Sequence, residues 1–70
     1  MRQPYYLHIY GSLLQLRTAA EFLVTEQISF RYSRKGKFIS VLNRNECVIR
    51  SVEHEMAINH IYCKRKELPS

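Results

Sequence analysis

Arg31, Arg34, Lys35, Lys37 and Arg44 stand in a stretch, from Glu26 to Glu46, that has no acidic residue inside it. Five cations without a counter-charge attract anions. Lys and Arg supply the phosphate contacts that dominate nucleic-acid affinity. Tyr32 and Phe38 flank the same segment and offer the ring faces on which bases stack. Lys64-Arg65-Lys66 forms a second basic cluster and extends the electrostatic footprint. The candidate binding set is therefore Arg31, Arg34, Lys35, Lys37, Phe38, Arg44, Lys64, Arg65 and Lys66. Its partner is nucleic acid, RNA or DNA, or an acidic surface of a larger protein. A solvated hairpin whose charges block edge-to-edge pairing would carry the same residues.

Other chemistry is poorly supported. His54 and His60 sit at the ends of a segment that resembles a zinc-binding helix, but that motif needs its histidines four residues apart. A separation of six turns the two side chains about 120° apart on a regular helix. The remaining combination is Cys47, His54, His60 and Cys63, and no metal or other cofactor is expected there. Gly11-Ser12 reads as a turn and a helix cap, because a lone glycine lacks the loop that phosphate sites need. The chain has no Asp and six scattered Glu. His8 and Ser12 have no third orienting group. No enzyme is expected.

Seventy residues make one domain, here expected to fray at both ends, and 46% hydrophobic content suffices for a core. A core this small makes a homodimer plausible. The net charge of +5 favours anionic partners. Two cysteines are no disulfide framework. Met1-Arg2-Gln3-Pro4 precedes an apolar run too short for a leader, and no run approaches a membrane span. A soluble, cytoplasmic protein with reduced thiols is the expectation.

These side chains need a scaffold. Tyr5–Tyr10 (YYLHIY), bounded by Pro4 and Gly11, reads as a first strand. Ser12 is a plausible N-cap for a helix from Leu13 to about Glu26. Leu13, Leu16, Ala20, Leu23 and Val24 recur at helical spacing as its core stripe. Then comes a three-stranded meander over Ile28–Val52, with strands Ile28–Ser33, Phe38–Leu42 and Cys47–Val52. Its turns are Lys35-Gly36 and Asn43-Arg44-Asn45-Glu46. A two-residue loop at Lys35-Gly36 sets Tyr32 opposite Ile39 and Phe30 opposite Val41. Read as a helix, Glu53–Leu68 has acidic residues first and basic ones last, as the helix dipole favours. Pro69 would stop it.

The result is a small α+β domain with an antiparallel sheet and two helices in β-α-β-β-β-α order. The alternative makes Asn45–Ala57 the helix and Ile58–Lys64 the last strand, giving the ferredoxin-like β-α-β-β-α-β order. In that second order, Leu7-His8-Ile9-Tyr10-Gly11 and Lys35-Gly36-Lys37-Phe38-Ile39 resemble the paired motifs of the RNA-recognition motif. That family stacks bases on aromatics at the third and fifth positions of the second motif. Here those positions are Lys37 and Ile39, with Phe38 between them. The resemblance spans about ten residues, implies RNA as ligand, and does not assign the chain to the family.

Two functions follow from these residues. The first is a small basic, non-enzymatic nucleic-acid-binding or regulatory protein that uses a basic β-hairpin. The second is a phage- or mobile-element-type inhibitor or adaptor that occludes a site on a larger host protein. In that case the apolar residues Phe38, Leu42, Ile49 and Phe22 would contribute as much as the charges.

Overall fold

The computed structural model describes residues 5–67. The alternating YYLHIY run forms strand β1 (Tyr5–Tyr10), and after Gly11 the chain enters helix α1 (Leu13–Thr25). Ser12 Oγ accepts from the Gln15 N–H at 3.2 Å, and Gln15 Oε1 accepts from the Ser12 N–H at 2.9 Å. This reciprocal cap satisfies two donors that a helix end leaves open. A Cβ at position 11 would lie 2.6 Å from Gln15 Oε1, so Gly11 makes room for the cap. At the other end, the Gln27 N–H donates to Val24 and the Ile28 N–H to Leu23. Gln27 takes the left-handed conformation (φ 59°) that this closing motif requires.

The hairpin follows as strands β2 (Phe30–Tyr32) and β3 (Phe38–Val41). Its register pairs Tyr32 with Ile39 and Phe30 with Val41, as the turn position predicts. The loop is wider than two residues. Ser33 Oγ accepts from the Lys37 and Phe38 N–H groups, and Gly36 adopts φ 67°.

Beyond β3 the order is the ferredoxin-like one, not β-α-β-β-β-α. Glu46–Ile58 is helix α2 and Tyr62–Glu67 is strand β4. Cys47–Val52 is therefore not a third meander strand, and of the expected tail helix only the stretch up to Ile58 is helical, as the end of α2, while Tyr62–Glu67 is strand. Asn43-Arg44-Asn45-Glu46 is no hairpin turn either. Asn43 Oδ1 accepts from the Asn45 N–H, and Asn45 caps α2 by accepting from the Cys47 N–H at 2.9 Å. Glu46 in the first turn suits the helix dipole. Ile49, Val52 and Met56, at steps of three and four, form the buried stripe of α2. Ile49 is thus core, not an exposed apolar contact. The expected fraying, the stop at Pro69 and the end of the proposed tail helix fall on residues 1–4 and 68–70, outside the described residues.

The four strands lie in the order β2-β3-β1-β4, and every neighbouring pair is antiparallel. α1 connects β1 to β2 across β3, and α2 connects β3 to β4 across β1. One cluster holds Leu7, Ile9, Ile39 and Val41 of the sheet, Leu16, Ala19 and Leu23 of α1, and Ile49, Val52 and Met56 of α2. Both helices thus pack on one face of the sheet. The stripe of α1 is Leu16, Ala19 and Leu23, with Ala20 at its margin. Leu13 and Val24, expected in it, are 73% and 66% exposed. At 3.6 residues per turn, both lie about 90–110° round the helix from the centre of the buried stripe. No helix among the described residues is long and apolar enough to cross a membrane.

Candidate nucleic-acid interface

The helices cover one sheet face, and nothing among the described residues covers the other. Strand register assigns its side chains, because directly paired residues of antiparallel strands point the same way. One row across the sheet is Phe38, Tyr10 and Tyr62. The next is Arg31, Ser40, His8 and Lys64. Beyond it stand Tyr6 and Lys66. The alternation of buried and half-buried residues along β1 places Tyr6, His8 and Tyr10 outward and Tyr5, Leu7 and Ile9 inward.

The rings are in contact with each other. His8 stacks on Phe38 with centroids 4.6 Å apart and planes at 23°. Tyr10 lies 5.5 Å from Phe38 and 5.8 Å from Tyr62, tilted by 41° and 37°. His8 Nδ1 and Tyr10 Oη are 3.3 Å apart. Burial first, and then the Lys66 charge, push the His8 pKa below its usual 6.5. Both effects favour the neutral imidazole.

The cations ring these aromatics. Lys64, Lys66 and Arg31 rise from the same face, and all three are exposed. Arg44, in the loop before α2, sets its guanidinium 5.5 Å from the centre of the Tyr6 ring. Arg34, Lys35 and Lys37 stand in the β2–β3 loop and line one cleft with Tyr10, Ser33 and Phe38. The hairpin charges and the sheet rings thus form one continuous surface. All six glutamates lie elsewhere. Glu21, Glu46, Glu53 and Glu55 are on the helices and Glu26 caps α1. Glu67, at the end of β4, pairs with the inward-facing Tyr5.

Arg65 is the exception in the candidate set. It pairs with Leu7 and so shares the helix side of the sheet. Its Nε and Nη2 donate to both carboxylate oxygens of Glu53, at 3.0 and 2.8 Å. Nη2 also donates to Glu46 at 2.9 Å, and Nη1 donates to Tyr5 Oη. The Tyr5 hydroxyl in turn donates to Glu46 Oε1 at 2.7 Å. Hydrogen bonds from Tyr5 and then Arg65 hold the Glu46 carboxyl below its usual range. Burial, then the bond to Glu46, raises the Tyr5 pKa. The glutamate bonds, Glu53 foremost, raise that of Arg65. Two carboxylates already neutralise Arg65, which fastens β4 to α2 and offers no free charge to a ligand.

Four rings of this surface have no place in the sequence-derived set: Tyr6, His8, Tyr10 and Tyr62. The period-2 pattern of YYLHIY carries the first three, since one side of the strand is aliphatic apart from Tyr5 and the other aromatic. Tyr62 is found only once β4 is recognised as a strand. The cysteines are both free, Cys47 exposed on α2 and Cys63 half-buried on β4. Burial raises the Cys63 pKa. Among the described residues no three His, Cys or Glu side chains come together as a metal site. No known protein family, no curated protein and no solved structure matches the chain.

Proposed function

We propose that this protein is a small, non-enzymatic nucleic-acid-binding protein whose binding surface is the open sheet face together with the β2–β3 loop. One observation carries the reading. Seven cations, Arg31, Arg34, Lys35, Lys37, Arg44, Lys64 and Lys66, share one side of the molecule with no glutamate among them. A net charge of +5 spread evenly would make only a soluble basic protein. The same charge gathered on one side, around rings that are half-buried or exposed, gives a surface that tracks a phosphate backbone.

The test is a salt titration of binding to a short single strand and a short duplex. Each neutralised phosphate releases counterions, so log K falls linearly with log salt. Replacing Arg34, Lys35 and Lys37 together by Ala should flatten that slope by about two to three units, because each contact contributes a little under one. The fold should be retained, since these three side chains are exposed at a turn. Absence of binding to either ligand at about 50 mM salt, where electrostatic contacts are strong, overturns the proposal. In that event the same face belongs to an inhibitor or adaptor that seats on an acidic protein surface. The triple substitution would then slow association, and Phe38→Ala would speed dissociation.

A further inference from the structure

We infer that the ligand of this face is single-stranded, and that Phe38, Tyr10 and Tyr62 stack on its unpaired bases while the cations hold its backbone. This rests on the nucleic-acid reading above and deepens it. The row runs across three adjacent strands, with centroid separations of 5.5 and 5.8 Å. At those separations and tilts no ring of the row lies flat on its neighbour, so faces remain for a third partner. His8 covers one side of Phe38 and fixes its orientation.

A duplex cannot use these rings. Four strands about 4.8 Å apart put the outer two roughly 14 Å from each other. The major groove is about 12 Å wide and the minor about 6 Å. Phe38 and Tyr10 stand on the inner strands β3 and β1, so the edges of the sheet would meet the phosphates before either ring reached a base. Duplex bases are also stacked on one another, with no face to offer. In a single strand the bases splay out and can stack on aromatic side chains. Outward residues on one strand, such as His8 and Tyr10, are about 6.7 Å apart. That is about twice the 3.4 Å rise per nucleotide in a stacked strand. An extended, unstacked strand fits the face where a helical one does not.

The experiment measures fluorescence anisotropy at one salt concentration with three labelled ligands of equal length. These are an oligothymidylate, the same phosphodiester backbone without bases, and a blunt DNA duplex. The wild-type protein should bind the base-bearing strand more tightly than the abasic one, by about 5- to 150-fold for each base stacked. Tyr10→Ala should remove most of that ratio and leave the salt slope unchanged. Tyr62→Ala, at a side chain 63% exposed, should lower the ratio without any risk to folding. The triple hairpin substitution should weaken both single strands equally. Equal affinity for base-bearing and abasic strands, or tighter binding to the duplex, overturns the stacking inference and leaves the nucleic-acid reading standing. Failure to bind all three ligands overturns both.

Discussion

Along β1, Leu7 and Ile9 enter the helix-covered face and are fully buried, while Tyr6, His8 and Tyr10 point away from it and stay half-buried. The same division crosses the sheet. Ile39 and Val41 go inward, and Phe38 goes outward. Cys63 and Arg65 face the helices, and Tyr62, Lys64 and Lys66 face away. The inner face has an aliphatic centre, with Tyr5, Phe30 and Tyr32 toward its edges, and closes on two helices. Arg65 on this face is matched by Glu46 and Glu53. The outer face is aromatic and basic, and among the described residues its cations make no ion pair. A solvated sheet face needs only mixed polar residues to be stable in water. The half-buried rings of Tyr6, His8, Tyr10 and Phe38, with exposed Tyr62, are an apolar surface that no helix covers, and such patches mark interaction sites. On the proposed reading, the helix side contributes stability and the open side contributes binding.

Substitutions on the two faces should therefore separate the two properties. Leu16→Ala or Leu23→Ala removes a buried side chain from the cluster between sheet and helices. Each should cost about 2–5 kcal/mol, a large share of the stability of so small a domain. Chemical denaturation measures this, and near-neutral shifts for both would place the core elsewhere. A smaller effect is expected at Arg65. Glu46 has a folded pKa below 4.5, so its contribution is present above that value and is lost as pH falls through and below it. Arg65→Met removes one cause of the shift and should shrink the difference in melting temperature between pH 7 and pH 3. An unchanged difference would mean that the ion pairs do not couple to folding. The smallest effect belongs to the open face. Tyr62→Ala should alter stability by no more than about 0.5 kcal/mol. A larger loss would show that the aromatic row is structural.

Much of this architecture is legible in the chain, for identifiable reasons. Ser12 announces the start of α1 because a cap is a local interaction. Lys35-Gly36 fixes the hairpin register because a turn dictates which residues face each other. The α2–β4 region is misread because local preference and tertiary placement disagree there. Val48, Ile49 and Val52 favour strands by intrinsic propensity. Yet Ile49, Val52 and Met56 also lie at helical spacing, and burial of that stripe decides the outcome. In β4 the acidic-to-basic order imitates a helix, while the alternation of Tyr62, Lys64 and Lys66 with Cys63 and Arg65 carries the strand. Six residue pairs with β1 then fix it. The basic half of the candidate site follows from the charge pattern except at Arg65, whose face is set by the register of β4. The aromatic half does not, because residues of β1, β3 and β4 become neighbours only when the sheet forms.

The central claim is that the open sheet face, and not the helix side, meets nucleic acid. Backbone amide chemical-shift perturbation with an unlabelled oligothymidylate tests it residue by residue. The account predicts shifts concentrated in β1, β3, β4 and the Arg34–Lys37 loop, with α1 silent, including exposed Leu13, Leu14 and Val24. Shifts centred on α1 and the exposed side of α2, with the Phe38–Tyr10–Tyr62 row unmoved, would contradict it.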